Sequence, residues 1–428
     1  MIVALVYPEV YDLARFKEKR KEFPPFGILY LAAFLEQNGI KVDIIKIRSS
    51  NSRYDFRNYD LVGFSIPSSA TYNTLKNVRL NSIYKNRVII AVGGIHSYFY
   101  PKKTLKDFKA DAVAVGNEGE ETLLEITQKL VERKFSDIKG VCTWKGSEII
   151  ITPTRSFKYN LDWLPFPARH LLPESDFIMS DRLAGTKTRM THIMMSRGCP
   201  FSCHFCAVSQ KRIQYRSGIN VKAELEQLKS RYNIDGFAIV DDNFVVNKNK
   251  VIDICENIKD LSLKWSALSR VDTVDYELLE VMHDAGCIEI KFGVESGSDR
   301  MLSLMGKNVS CNQIKQAVTL AHSAGINVKA FLVHGFPGEN FETTKETISL
   351  LKEISSIISR VTLFRFVPLP GSFVFRNAGM FNLHLVDDWN KYHIYHNNFH
   401  WWGNKDDFLE VERSYQYLKS FIDNLWPK

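Results

Sequence analysis

The sequence predicts an α/β protein with a doubly wound parallel domain first, a partial (β/α)6 barrel second and a C-terminal cap last. Three observations carry this reading. Short β-branched runs alternate with amphipathic stretches through the first third of the chain, a proline-containing connector follows, and six further apolar runs separated by helical segments come after it. At 428 residues the chain is too long for one ordinary core, so two or three domains are expected.

In the first third the runs are Ile2 to Tyr7, Val42 to Ile47, Leu61 to Ile66, Val88 to Gly93 and Asp111 to Gly116. Continuous apolar runs suit strands covered on both faces. Between the first two, Ile28, Leu31, Leu35 and Ile40 form one apolar helical face and Gly39 ends the helix. The β-α-β-α-β order predicts a parallel sheet over residues 1–140, with ligands met at the carboxyl ends of its strands. Residues 141–185 read as a linker, because LDWLPFPARHLLP from Leu161 to Pro173 carries prolines that disfavour helix and central strand. The barrel is expected over residues 186–372, in runs beginning at Thr191, Gly236, Lys264, Ile288, Val328 and Val361. Six parallel strands in a curved sheet put an active site at the carboxyl edge. In the tail, residues 373–428, WNKYHIYHNNFHWW contains His393, His396 and His400. No acid or cysteine cluster accompanies these imidazoles, so the segment reads as a cap that closes the barrel mouth against water.

Composition narrows the class. With 45% hydrophobic and 24% charged residues and no low-complexity tract, disorder is not indicated. The apolar run in MIVALVYPEV is too short to cross a membrane and lacks the basic flank of a secretory signal, so a cytoplasmic protein is expected, with no membrane partner. The net charge of +8 is spread among mixed helical charges without one basic block. It reads as a solvated surface, and nucleic acid is not expected as a partner. Seven cysteines in a long chain argue against a disulfide framework, and three of them crowd into SRGCPFSCHFC.

That segment places Cys199, Cys203 and Cys206 directly after the first barrel strand, at the edge where barrel sites lie. Three thiolates on one loop can hold three irons of a four-iron cluster and leave the fourth free to bind substrate. A structural zinc site wants four closed ligands, and His204, the nearest candidate fourth, is fixed by two neighbouring ligands in a crowded turn. Cys142, Cys255, Cys287 and Cys311 sit in strand or helix contexts and read as apolar fillers.

The CxxxCxxC spacing, with Phe205 before the last cysteine, resembles the radical S-adenosylmethionine superfamily. The resemblance implies a 4Fe-4S cluster whose free iron is chelated by the amino and carboxylate groups of S-adenosylmethionine. Electron transfer then splits the sulfonium to give a 5′-deoxyadenosyl radical, and an external donor such as flavodoxin or ferredoxin supplies the electron. The resemblance extends over most of residues 190 to 372. DDNF, Asp241 to Phe244, ends the second strand and matches the segment that presents polar groups to the methionine amino end; a helix cap is the alternative. Ser269 with Arg270, and Glu295 with Ser296, end the third and fourth strands and look like positions that contact the ribose or carboxylate. A salt bridge between Arg270 and Glu295 is the alternative there. HGFPGE and VPLPGS follow strands five and six, where related barrels bring backbone to the adenosyl group; Gly335 and Gly338 can also simply make turns.

The domain before the barrel resembles the cobalamin-binding domains fused to many radical enzymes, through PPFGILYLAAFLEQNGI, DLVGFSIPSSATY, VGGIHSYFYP and DAVAVGNEGEET. A corrinoid is large, and Ser65, Ser68, Ser69, Gly93, Gly94 and Gly116 supply small or polar positions near strand ends. Two departures stand out. No DxHxxG is present, so His96 reads as a loop residue near the nucleotide tail, and the lower face of cobalt is expected to carry water or no protein ligand. GNEGEE replaces the GEGE common in relatives, which leaves open a domain that keeps the fold without the cofactor. The combination implies methylation of an unactivated carbon in a small or peptide-like metabolite, as in natural product biosynthesis. The alternative is radical rearrangement, cyclisation or sulfur insertion without methyl transfer.

Overall fold

The computed structural model describes residues 1–9, 24–116, 118–208, 212–394, 401–402 and 405–427. It divides into two compact units. The first holds Met1–Lys158, Trp163–Phe177 and Asp387–His393, and the second holds Tyr159–Asp162, Ile178–Val386 and Ile394–Lys428. His396 and His400 of the histidine-rich tail lie outside the described residues. No helix among the described residues is long and apolar enough to cross a membrane.

In the first unit the strands are β1 (Ile2–Pro8), β2 (Lys41–Ile47), β3 (Leu61–Ser65), β4 (Ile89–Gly93), β5 (Ala112–Ala114), β6 (Val141–Lys145) and β7 (Glu148–Ile151). They form one sheet in the order β2-β1-β3-β4-β5-β6-β7, parallel as far as β5. The helices are α1 (Phe26–Gln37), α2 (Tyr72–Asn81), α3 (Ile95–Phe99), α4 (Pro101–Asp107) and α5 (Gly119–Gln128). Alternate residues of β1 serve two cores: Val3 and Leu5 pack with Ile28, Leu35 and Ile126, while Ala4 and Val6 pack with Phe64, Leu75 and Phe108. Helices on both faces are why the strands read as unbroken apolar runs. The antiparallel pair β6–β7 extends the sheet beyond the five parallel strands that the sequence predicts. It falls in the stretch read as linker, where Gly146 turns the chain at φ 63 between two β-branched runs.

In the second unit the strands are β8 (Met179–Leu183), β9 (Thr186–Ile193), β10 (Ser196–Arg197), β11 (Gln214–Tyr215), β12 (Gly236–Ile239), β13 (Lys264–Ser269), β14 (Cys287–Glu295), β15 (Asn327–His334) and β16 (Arg360–Arg365). The six predicted runs form the parallel part of a curled half-barrel, in the order β16-β15-β14-β13-β12-β9, and β8 is an antiparallel edge strand that the sequence reading lacks. The helices are α6 (Gly218–Tyr232), α7 (Lys248–Ile258), α8 (Tyr276–Asp284), α9 (Asp299–Leu304), α10 (Cys311–Ser323), α11 (Phe341–Ile354), α12 (Phe373–Arg376) and α13 (Lys405–Leu425). Ser217, Asn247, Asp275, Ser310 and Asn340 cap α6, α7, α8, α10 and α11 with their side chains. Each such cap is worth about 1 kcal/mol and fixes where the loop at the strand's carboxyl end stops. Inside, Trp265 stacks on Phe237 at 6.0 Å and donates to the Ala285 carbonyl at 2.8 Å, so this large side chain is buried without an orphaned N–H.

Candidate active site

The cysteine loop is tied at its base. Ser196 and Arg197 pair with Tyr215 and Gln214 in a short antiparallel ladder, and the segment between them carries the three cysteines. Gly198 takes φ 96, and a Cβ there would lie 2.2 Å from the Arg212 carbonyl oxygen, so only glycine lets the loop close in this way. Asp241 is buried at the end of β12, accepting from the Met195 backbone N–H at 2.9 Å and the Ser196 hydroxyl at 2.6 Å. Burial pushes its carboxyl up to about 7. In this place Asp241 locks the first strand to the second, and the cap of α7 is Asn247, so the alternative role of DDNF as a helix cap is not what forms.

His204 is used elsewhere than at a metal. Its Nδ1 donates to the Leu304 carbonyl at 2.9 Å, its ring stacks on Phe373 at 4.5 Å, and its backbone N–H reaches the Met305 carbonyl at 2.8 Å. Phe205 packs, half-buried, on Met301, Met305, Phe336, Phe366 and Val374. These contacts seat the loop on its neighbours and engage both the ring and the backbone of His204. Among the described residues no three His, Cys, Asp or Glu side chains gather around one ion position. A closed zinc site requires such convergence, whereas thiolates at three corners of a four-iron cube do not.

Burial pushes all three thiols up, Cys206 to about 12. They stay protonated in the metal-free chain, and a bound cation would reverse that preference and drive the protons off. Arg270 lies against this loop: its guanidinium is 3.3 Å from the Cys203 sulfur and 4.0 Å from the Phe201 ring centroid. Asp272 holds it through paired bonds of 2.8 Å and the Lys307 carbonyl accepts a third at 2.6 Å. The expected alternative, a direct Arg270–Glu295 bridge, does not form. Glu295 instead accepts from Lys307 Nζ at 2.9 Å, so Lys307 couples the two through its backbone and its side chain. Lys307 is the residue that the sequence reading missed, since nothing in LMGKN marks it.

Glu295 has φ 66, a left-handed conformation for a residue with a side chain, at a bulge in β14. Gly293 makes room for it: a Cβ there would be 2.4 Å from Glu295 Oε1 and 2.8 Å from Lys307 Nζ. Stored strain of this kind costs of order 1–3 kcal/mol and clusters at functional sites. Two buried polar groups make no hydrogen bond, the Asn243 amide in DDNF through both its atoms and the Ser298 hydroxyl three residues past Glu295. An orphaned buried amide is expensive unless a ligand completes it. By contrast the Ser269 hydroxyl is bonded to the Arg270 carbonyl at 3.0 Å and Thr273 at 3.1 Å, and Ser296 to Thr347 at 3.3 Å. Both serines shape turns. The residues present therefore fit a thiolate-bound cluster and a polar ligand beside it, with Asn243 as the free donor and acceptor in the DDNF segment.

The first unit offers a different surface. Ser65 and Gly93 sit opposite one another at the ends of β3 and β4. Gly94 takes φ 99 with its virtual Cβ 2.4 Å from the Ile66 carbonyl oxygen, so the β3 and β4 loops touch backbone to backbone. Ser68 precedes a short turn in which its carbonyl accepts from the Thr71 hydroxyl at 2.8 Å. A Cβ on Gly93 would meet the Ala114 side chain at 3.8 Å, and one on Gly116 would meet nothing within 4 Å. Such space at strand ends fits a large flat ligand. His96 is not the loop residue expected: it is fully buried in α3, its Nδ1 is 2.9 Å from the Ser69 hydroxyl, and Tyr72, Tyr100 and Trp389 surround its ring. Burial pulls its pKa down to about 4, so it stays neutral. Trp389 comes from Asp387–His393, the piece of the tail that belongs to this unit.

Comparison with known proteins finds relatives for both parts of the chain. The chain matches the Radical SAM superfamily over residues 193–351 and the B12 binding domain over residues 18–127. It is 31% identical to an uncharacterized methyltransferase of Pyrococcus horikoshii over 387 residues, covering 86% of this chain and 81% of that one. It is 26% identical to the cytidylyl-2-hydroxyethylphosphonate methyltransferase of Streptomyces wedmorensis, covering 83% and 77%. Among solved structures, the radical S-adenosylmethionine methyltransferase TsrM from Kitasatospora setae, with cobalamin and a four-iron cluster bound, superposes at a TM-score of 0.72 and 16% identity, covering 99% of this chain and 89% of that one.

Proposed function

Because the chain belongs to the radical S-adenosylmethionine superfamily, in the branch that carries a B12-binding domain, we propose that it methylates an unactivated carbon of a small or peptide-like substrate. When bound, the cluster and S-adenosylmethionine supply a 5′-deoxyadenosyl radical, and cobalamin supplies a methyl carrier. The observation that carries the reading is the pairing, in one chain, of a thiol loop clamped by Arg270 and a second sheet whose strand ends are open. A radical generator and a methyl carrier in one chain answer a specific difficulty, since an unactivated carbon is too poor a nucleophile to take a methyl group directly.

In this proposal Cys199, Cys203 and Cys206 hold the cluster. Arg270, through its contact with Cys203, places positive charge beside the cluster and screens that sulfur from water. Asn243 and Ser298, with buried hydrogen-bonding capacity unspent, bind polar groups of S-adenosylmethionine. Glu295 is held by Lys307 and by the bulge of β14, so its carboxylate is preorganised before any ligand arrives. The open position Gly116, with Gly93, Ser65 and Ser68, receives the corrinoid. His96, neutral and locked to Ser69, stays a structural residue. An external reductant such as flavodoxin or ferredoxin feeds the cluster, and the cytoplasm, where thiols stay reduced, is the compartment that suits seven free cysteines.

The test is incubation of anaerobically reconstituted protein with methyl-labelled S-adenosylmethionine and candidate substrates, followed by mass spectrometry. The expected result is 5′-deoxyadenosine and S-adenosylhomocysteine together, with one labelled methyl in the product. A product of unchanged carbon count would overturn methylation and leave rearrangement, cyclisation or sulfur insertion.

A further inference from the structure

The loop that leaves β5 carries a carboxyl group that no described residue completes. Ser65, Gly93 and Ala114 stand side by side at the ends of β3, β4 and β5, since Ser65 is in register with Gly93 and a Cβ on Gly93 would lie 3.8 Å from the Ala114 side chain. Gly116 follows two residues beyond Ala114, and Glu118 two beyond that, immediately before α5. Glu118 is 6% exposed, and its Oε1 has no hydrogen-bond partner. It stands where Ser, Thr, Asp or Asn would cap the free N–H groups of a helix, yet its side chain makes no capping bond.

The cations at this end of α5 pair with other acids. Arg155 donates to the Glu125 carboxylate at 2.9 Å and to the Thr122 hydroxyl at 3.0 Å, and Lys158 Nζ donates to Glu121 at 2.5 Å. The Thr122 hydroxyl donates to the Glu118 carbonyl at 3.1 Å, so the backbone at Glu118 is held in place. Burial pushes the Glu118 carboxyl up, and Glu120 and Glu121 add to the rise. A buried acceptor without a partner costs of order 1–3 kcal/mol, a penalty that a hydrogen-bonding ligand removes. A corrin ring is fringed with neutral carboxamide arms, each with N–H donors and a carbonyl acceptor. An ionised carboxyl matches such an arm through the N–H, and a protonated one through both groups.

We propose that Glu118 is a corrinoid-binding residue whose carboxyl bonds one carboxamide arm of the ring, while the ring itself occupies the space beside Gly116. The inference rests on the reading of this sheet edge as the cobalamin site and adds the polar anchor that orients the ring there. Small residues set how much room a flat ligand has, and one directed bond sets which way it lies.

The experiment titrates the cluster-reconstituted protein with hydroxocobalamin, followed by absorbance, and melts the corrinoid-free protein in parallel. Glu118→Met removes the carboxyl at nearly constant length, and Glu118→Gln keeps a donor and an acceptor. Affinity in Glu118→Met should fall roughly tenfold to a hundredfold, the usual loss of a charged hydrogen bond. The melting temperature of the empty Glu118→Met variant should equal or exceed that of wild type, because an incomplete buried carboxyl is gone. Glu118→Gln should keep most of the affinity. Weaker binding without weaker folding is the combination that a merely structural carboxyl does not give. Unchanged affinity in Glu118→Met, affinity and melting temperature falling together in it, or a loss in Glu118→Gln equal to that in Glu118→Met overturns the proposal. Wild-type protein that takes up no hydroxocobalamin overturns the cobalamin reading and this proposal with it, whereas uptake by wild type with unchanged affinity in Glu118→Met removes the role of Glu118 alone.

Discussion

At the carboxyl edge of the first sheet the residues are small and their surroundings open, with a Cβ on Gly116 meeting nothing within 4 Å and Ser65 paired to Gly93. At the same edge of the second sheet they are charged, buried and held in place: Arg270 against Cys203, Glu295 at φ 66 over Gly293, and an Asn243 amide with no partner. On the proposed function, one edge would accept a ligand by leaving room, and the other by presenting groups that are incomplete without one. The contrast follows from what each cofactor asks. A corrinoid is broad and gains most from shape and apolar contact, whereas a cluster with its sulfonium ligand needs thiolates and placed charge. The two edges should therefore respond differently to substitution.

The largest effect belongs to the thiols. Replacing Cys199, Cys203 and Cys206 together with Ala should abolish the cluster's visible absorbance and all cleavage of S-adenosylmethionine, while the melting temperature of the metal-free protein barely changes. Full iron content in the triple variant would break the contrast at its root. Next comes Gly94, the one crowded point of the open edge. Gly94→Val drives a Cβ to 2.4 Å from the Ile66 oxygen in a conformation that L side chains avoid, a cost of roughly 2–5 kcal/mol. Thermal melting should show that loss with cobalamin uptake lost as well, and a melting temperature equal to wild type would contradict the backbone contact.

The parts of this arrangement that the sequence made legible are those written in local chemistry. Six apolar runs announced six parallel strands, and a CxxxCxxC loop announced its own position after the first. What stayed hidden depends on approach between distant residues. Lys307 lies 12 positions from Glu295 and 37 from Arg270, yet it joins them, and no periodicity signals such a bridge. The burial of His96 is equally invisible, because Trp389, which covers it, comes from nearly 300 positions away. The β6–β7 hairpin is legible in principle, since Gly146-Ser147 between two β-branched runs is a turn signal; the prolines that follow carry the opposite, linker-like signal.

Asp241 tests the buried edge through pH. Its carboxyl is raised from 3.8 to about 7 by burial, so the folded chain keeps a proton that the unfolded chain has released between those values. Stability is therefore highest below about pH 4 for this group and falls as pH rises to about 7, by roughly 4 kcal/mol as an upper bound. Glu339, raised to about 7 by its own burial, adds to the same slope. In Asp241→Asn the amide oxygen can still accept from the Met195 N–H and its N–H can donate to the Ser196 hydroxyl. Melting temperatures taken from pH 5 to pH 8 should fall less steeply in the variant than in wild type. Parallel slopes would mean that Asp241 ionises freely and does not lock the base of the cysteine loop.

The smallest structural effect should come from Gly116, and for that reason it is the sharpest test of the open edge. Gly116 is not in the left-handed region and a Cβ there contacts nothing, so Gly116→Ala adds a methyl without strain. Melting of the cofactor-free protein should stay within about 0.5 kcal/mol of wild type, the ordinary range for a harmless surface change. Gly116→Leu fills more of the same space, and its cost to the empty protein should be similarly slight. If the space exists for a corrinoid, cobalamin affinity should fall in the order Gly, Ala, Leu while stability changes little, because a Cβ there meets no protein atom within 4 Å and the added bulk occupies the space the ligand needs. Absorbance titration with hydroxocobalamin measures this directly. Equal affinity across the three would place the corrinoid elsewhere along the edge, whereas a parallel loss of stability and affinity would show that the side chain strains the chain itself. The first outcome moves the ligand and the second removes the distinction between an edge that leaves room and one that is filled.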